Sequence, residues 1–203
     1  MPEKQYCYTD ILDSTYKELD AISSLYSKTY VIRFDLHLTE YHDYAACSDG
    51  ELIRRFFKSL IRSIKSSLNY SGKVAYQWVK EIERAKKAHF HCWIAVSGHK
   101  FQRLGTVRCD LQPNGAGLVG LIQKRWEVES SGGTVWVPDG DNEKRYAGHM
   151  LSGSGSLGEK ENIEGCFYHL SYMAKCRGKQ YGQKGHNYGT SRLASVLMEK
   201  AGA

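Results

Sequence analysis

An α+β fold built on an antiparallel sheet is what this sequence predicts, and three observations carry the prediction. Residues 30–38, YVIRFDLHL, alternate strictly, with Tyr30, Ile32, Phe34, Leu36 and Leu38 on one side and Val31, Arg33, Asp35 and His37 on the other. Two further extended stretches, KVAYQWVKEIE (73–83) and AHFHCWIAV (88–96), flank a basic turn, RAKK, as an antiparallel hairpin does. Between the first strand and the hairpin runs a segment with helical spacing, so helices are expected to pack on the apolar face of the sheet in two layers.

The elements follow in order along the chain. Residues 10–28 form a helical lead-in through Ile11, Leu12, Leu19, Ile22 and Leu25. The helix after the first strand is announced by SDGE, where Ser48 and Glu51 have the three-residue separation of a capping box. Its apolar stripe is Ile53, Phe56, Phe57, Leu60, Ile61, Ile64 and Leu68, and Arg54, Arg55, Lys58, Arg62 and Lys65 lie away from it. In the first hairpin strand Val74, Tyr76, Trp78 and Ile82 make the apolar face, leaving Gln77, Glu81 and Glu83 opposite. A second helix covers 115–129, SSGG ends it, and TVWVP is a short extended piece. DGDN is read as a turn and 152–158, SGSGSLG, as a flexible loop. Residues 161–179 then form one helix, and the tail opens as a loop and closes in a short helix.

Composition narrows the class. A chain of 203 residues, 41% hydrophobic with three prolines, suits one domain of ordinary size. Cysteines 7, 47, 92, 109, 166 and 176 form no CxxC pair, zinc-finger spacing or secreted disulfide framework, so reduced thiols and a cytoplasmic protein are expected. No apolar run reaches the ~18 residues of a membrane span, and the formal charge of +6 points weakly to an anionic partner.

Chemistry gathers on the polar face. If the three strands share a sheet, one face carries Arg33, Asp35, His37, Gln77, Glu81, Glu83, His89 and His91. Two imidazoles and a carboxylate leave coordination positions open, as a catalytic divalent ion requires. Periodicity alone does not choose between Glu81 and Glu83. In the late helix Tyr168, Tyr172, Lys175 and Lys179 fall at i, i+4, i+7 and i+11, on one stripe. A phenol, which ordinarily ionises near pH ~10, needs a metal-polarised electrophile or a nearby cation before it attacks a phosphodiester.

These residues resemble a known family. HFH (89–91) is similar to the histidine, hydrophobic, histidine motif of HUH endonucleases, and YMAK (172–175) to the YxxK nucleophile motif of rolling-circle replication initiators. RFDLH, WVKE, SYMAK and YGTS, spread over roughly residues 30–192, resemble more closely the replication proteins named for the inovirus second gene product. The resemblance implies a palm-like HUH sheet with helices on one face and a catalytic helix against the other. The organisation expected from it is a helical extension over 1–29, an HUH domain over 30–192 and a helical tail over 193–203.

The activity implied is nicking and rejoining of origin DNA through a covalent 5′-phosphotyrosine, for rolling-circle replication of a phage, prophage or plasmid. His89, His91 and, through WVKE, Glu81 would hold Mg²⁺ or Mn²⁺; Tyr172 would be the nucleophile, Lys175 its partner, and Tyr168 a second nucleophile or a packing residue. His37 is a further ligand or a DNA contact. Arg33, Lys86, Lys87, Arg177 and Lys179 are expected at the phosphates and Trp93 at unpaired bases. The expected partners are single-stranded or melted origin DNA and a host polymerase, with neither a membrane nor a small-molecule substrate. The sequence has no GxxxxGK[ST] loop, so strand separation falls to a host helicase. The alternatives are a phosphodiesterase that uses water in place of tyrosine and a non-catalytic basic nucleic-acid-binding module.

Overall fold

The structure, a computed structural model, describes residues 7–39, 48–82, 88–103, 105, 117–138, 148–176 and 187–202. Its helices are α1 (Thr9–Leu25), α2 (Asp49–Ser67), α3 (Gly117–Glu129), α4 (Ile163–Ser171) and α5 (Leu193–Ala201). Its strands are β1 (Lys28–His37), β2 (Ala75–Ile82), β3 (Ala88–Ser97), β4 (Thr134–Trp136), β5 (His149–Ser152) and β6 (Tyr188–Thr190). The strands form one antiparallel sheet in the order β4-β1-β3-β2-β6, and β5 pairs with the other end of the β1 edge that β4 uses. The α+β class and the antiparallel sheet are as the sequence predicts.

Strand alternation divides the sheet into two faces. Tyr30, Ile32, Phe34 and Leu36 of β1 join Phe90, Cys92, Ile94 and Val96 of β3 in a core closed by α2 and α3. α2 begins as expected, with the Ser48 hydroxyl accepting from Glu51 N at 3.3 Å, and it buries Leu52, Ile53, Phe56, Phe57, Leu60 and Ile64. Arg54, Arg55, Lys58, Arg62 and Lys65 are exposed on α2, across the sheet from the histidines.

The second face is only partly polar, which corrects the expectation of an open polar surface. Val31, Ala75, Val79, Trp93 and Ala95 form a second core there with Ile11, Leu19 and Ile22 of α1, Leu170 of α4 and Leu193 of α5. Helices from both ends of the chain therefore cover this face along with α4. Gln77 ties α1 to the sheet: its Oε1 accepts from Trp93 Nε1 at 2.9 Å and from Thr15 Oγ1 at 2.5 Å, and its Nε2 donates to Ile11 O at 3.3 Å. Trp93 is wholly buried and offers no surface to a base.

Two segments depart from the periodicity. The stretch read as one helix over 161–179 is α4 followed by a 3₁₀ turn, Tyr172–Ala174, and Lys175 is already extended with ψ 135°. Pairing with the N-terminal segment ends the helix: Tyr8 N donates to Ala174 O at 2.8 Å, and Cys7 bridges Lys175. Within 152–158 Ser152 closes β5, and Leu157 opens a 3₁₀ turn whose neighbour Lys160 donates to Tyr26 O at 2.9 Å and to Gly153 O. Residues 139–142, read as a turn, lie outside the described residues. Among the described residues no helix is long and apolar enough to cross a membrane.

α5 has no side-chain cap of its own at Arg192, and Glu18 of α1 takes that place. The buried Glu18 carboxylate accepts from Leu193 N at 3.1 Å and Ala194 N at 3.2 Å, and from the Ser191 hydroxyl, at the positive end of the helix. Glu18→Ala leaves those amides unsatisfied and is expected to cost roughly 1–3 kcal/mol in urea unfolding, with Glu18→Gln, which keeps an acceptor, losing less.

Candidate metal centre

Strand register assembles the site. Glu81 stands opposite His89, which stands opposite His37; in the next row on the same face Val79, His91, Asp35 and Trp136 stand opposite one another in turn. Directly paired residues project to the same side of an antiparallel sheet, so these two rows gather Glu81, His89, His37, His91 and Asp35 at one end of the second face. β2 ends at Ile82, so Glu81 is the glutamate held in register; Glu83 lies outside the described residues.

One ligand atom each from Glu81, His89 and His91 lies within 4.8 Å of the others. His91 Nε2 is 2.8 Å from Glu81 Oε2 and 3.2 Å from His89 Nε2. Two imidazole nitrogens and a carboxylate oxygen suit a divalent cation, and three protein ligands leave positions for phosphate oxygens or water. His37 stacks on His89, ring centroids 5.4 Å apart, and is not in the three-residue donor set.

Asp35, to which the sequence assigned no role of its own, sets the geometry. Its Oδ1 lies 2.9 Å from His91 Nδ1, so the imidazole presents Nε2 to Glu81 and His89. Burial alone would raise the Asp35 carboxyl, but the His91 imidazole 2.9 Å away, with Arg33 and His89 beside it, holds it below the usual carboxylate range. Burial likewise disfavours the His91 imidazolium, yet Asp35 and Glu81 at its two nitrogens outweigh that and raise its pKa above the ordinary value.

Tyr172 closes the site from above. Its ring meets His91 edge to face at 5.5 Å, Arg33 Cζ lies 4.4 Å from its centroid and Lys175 Nζ 4.2 Å. Lys175 thus reaches the phenol from extended backbone and not from a helical stripe. Arg33, expected on DNA phosphate, is 5% exposed and turned inward, with Nη2 3.4 Å from Asp35 Oδ2. Tyr168, one turn before Tyr172, is 83% exposed. Lys86, Lys87, Arg177 and Lys179 lie outside the described residues.

Beside the cluster is a pair that spacing did not suggest: His149 Nε2 lies 3.2 Å from His169 Nδ1. Burial lowers both pKa values, and for His169 the Arg33 and His149 charges add to bring it to about 4. The two are more than 15 positions apart on a strand and a helix, so no local pattern signals them.

Fold and site together define an α+β protein with a His-His-Glu donor set on its sheet, the two histidines buried and the glutamate partly so. The chain belongs to the YagK/YfjJ C-terminal domain family, whose model matches residues 1–191. No curated protein and no solved structure matches it.

Removing the support of His91 while keeping all three donors tests this arrangement. Asp35→Asn is expected to weaken Mn²⁺ binding roughly 10- to 100-fold in a calorimetric titration, and His91→Ala to weaken it further.

Proposed function

We propose that this protein nicks and rejoins single-stranded or melted origin DNA through a covalent bond between Tyr172 and a 5′ phosphate. The observation that carries the reading is the packing of the Tyr172 ring on His91, a member of the donor set. The motif order HFH then YMAK supports it from the sequence side.

Glu81, His89 and His91 would hold a divalent ion, Mg²⁺ or Mn²⁺, which when bound supplies Lewis-acid polarisation of the phosphoryl oxygens. Asp35 orients His91 so that Nε2 is free for that role. The Tyr172 phenol oxygen attacks phosphorus; the new bond joins that oxygen to the 5′ phosphate, and the bond to the 3′ oxygen breaks. The departing oxygen takes a proton and becomes the 3′ hydroxyl that a host polymerase extends, while the phenolic proton passes to solvent. Rejoining reverses these changes, with a 3′ hydroxyl attacking and the phenol restored. Arg33 and Lys175 hold positive charge against the ring where negative charge develops.

On this reading the protein serves rolling-circle replication of a phage, prophage or plasmid in the cytoplasm, with a host helicase separating the strands. Incubation with a supercoiled plasmid carrying the origin of the encoding element, with Mg²⁺ or Mn²⁺, is expected to give nicked circles and a nucleotide-bearing peptide covering 167–175. Tyr172→Phe is expected to abolish both products, and Tyr168→Phe to keep a single round of nicking. A Tyr172→Phe enzyme that still cleaves and forms no adduct would make the protein a hydrolase.

A further inference from the structure

Trp136 stands where a buried side chain would be expected on a sheet. It occupies β4, between Val135 and Val137, which pack into the first core, so its indole projects to the second face. There it is directly opposite Asp35, which is directly opposite His91. Strands lie about 4.8 Å apart, so the backbones at Trp136 and His91 are about 10 Å apart, or about three stacked-base spacings of ~3.4 Å. Among the described residues Trp136 is one of the exposed large hydrophobic side chains, at 50%.

The entry of the chain into β4 is fixed by close packing. Ahead of β4, a Cβ on Gly133 would sit 2.5 Å from His37 O and 2.5 Å from Trp126 Nε1. The backbone therefore approaches the end of β1 as only glycine allows, and Trp126 Nε1 donates to His37 O at 2.9 Å in the same place. The one carboxylate in the row, Asp35, is offset by Arg33 and His91, so the approach beside the indole presents little net negative charge to a phosphate chain.

We infer that Trp136 is a stacking platform for an unpaired base of single-stranded DNA lying next to the metal donors. The inference rests on the reading of the site proposed above. Continuity with the Asp35–His91 row argues for that occupant: a strand whose phosphate meets the ion that Glu81, His89 and His91 would hold carries neighbouring bases within reach of β4. Stacking on an aromatic ring accepts any base, so Trp136 supplies affinity for unpaired DNA and leaves sequence choice to other residues.

The test uses the intact protein and needs no substitution to begin. Of the four tryptophans, Trp78 is 4% exposed and Trp93 and Trp126 are wholly buried, so a change in tryptophan emission on DNA binding reports Trp136. In EDTA, where no cleavage occurs, a single-stranded oligothymidylate of about 15 nucleotides is expected to quench the emission saturably, and a blunt duplex of equal length to leave it unchanged. Trp136→Ala is expected to abolish the quenching and weaken single-strand affinity roughly 10-fold by fluorescence anisotropy, and Trp136→Phe, which also removes the reporting indole, to keep most of the affinity. Equal affinity of wild type and Trp136→Ala, equal quenching by duplex, or a blue shift that depends on protein concentration without DNA would each overturn the inference. Should single strands quench while no Tyr172 adduct forms on origin DNA, the platform stands and the nickase reading falls; an adduct without quenching gives the reverse.

Discussion

The contact between Asp35 and His91 constrains the rest of the site. Both side chains are about 5% exposed, and a buried carboxylate or imidazolium costs several kcal/mol unless it is paired and hydrogen-bonded. Arg33 at Asp35 and Glu81 at His91 supply the remaining partners, so four charged or polar groups are held as one unit inside the second face. Breaking any member leaves another buried without its partner, which explains why a sheet face otherwise packed with valine and alanine keeps this unit. The same contact leaves His91 only Nε2 for a cation.

How much of this the sequence made legible depends on element length. β1 and β3 are each ten residues long, and the polar residues of β1 and of the start of β3 fall at alternate positions, so the common face of His89, His91, Asp35 and His37 is readable from period two. β4, β5 and β6 have three or four residues, too few for alternation to stand out, and each exists because a long neighbour offers an open edge. Trp136 belongs to that class. Its parity relative to Asp35 follows from pairing with β1, which no local pattern encodes, whereas Trp93 lies in a clear strand and its polar-side parity suggested exposure.

Parity reports a face and not what covers it. Trp93 and Arg33 share the side of β1 and β3 that carries the histidines, yet both are buried, Trp93 in the core that α1, α4 and α5 close and Arg33 against Asp35 and the Tyr172 ring. The first core was predictable because α2 follows β1 and shows a wide apolar stripe. The second is assembled from both ends of the chain: Glu18 caps α5 and Gln77 receives Thr15, contacts separated by 175 and 62 residues. Such long-range satisfaction of buried polar groups decides which half of a face is core, and it leaves the His37–His89 end to the donor set.

The end of α4 shows how packing overrides helical spacing to useful effect. A helix continued through 179 would carry Lys175 almost a full two turns beyond Tyr168, with its ammonium pointing along the stripe. Instead the backbone tightens to 3₁₀ at Tyr172 and extends at Lys175, because residues 7 and 8 pair with 174 and 175. The reversal brings Nζ to 4.2 Å from the ring that Arg33 approaches to 4.4 Å, so a phenol 41% open to solvent is held between cations from two separate elements. The residues from Tyr172 to Lys175 thus form a turn that brings ammonium and phenol together without a continued helix.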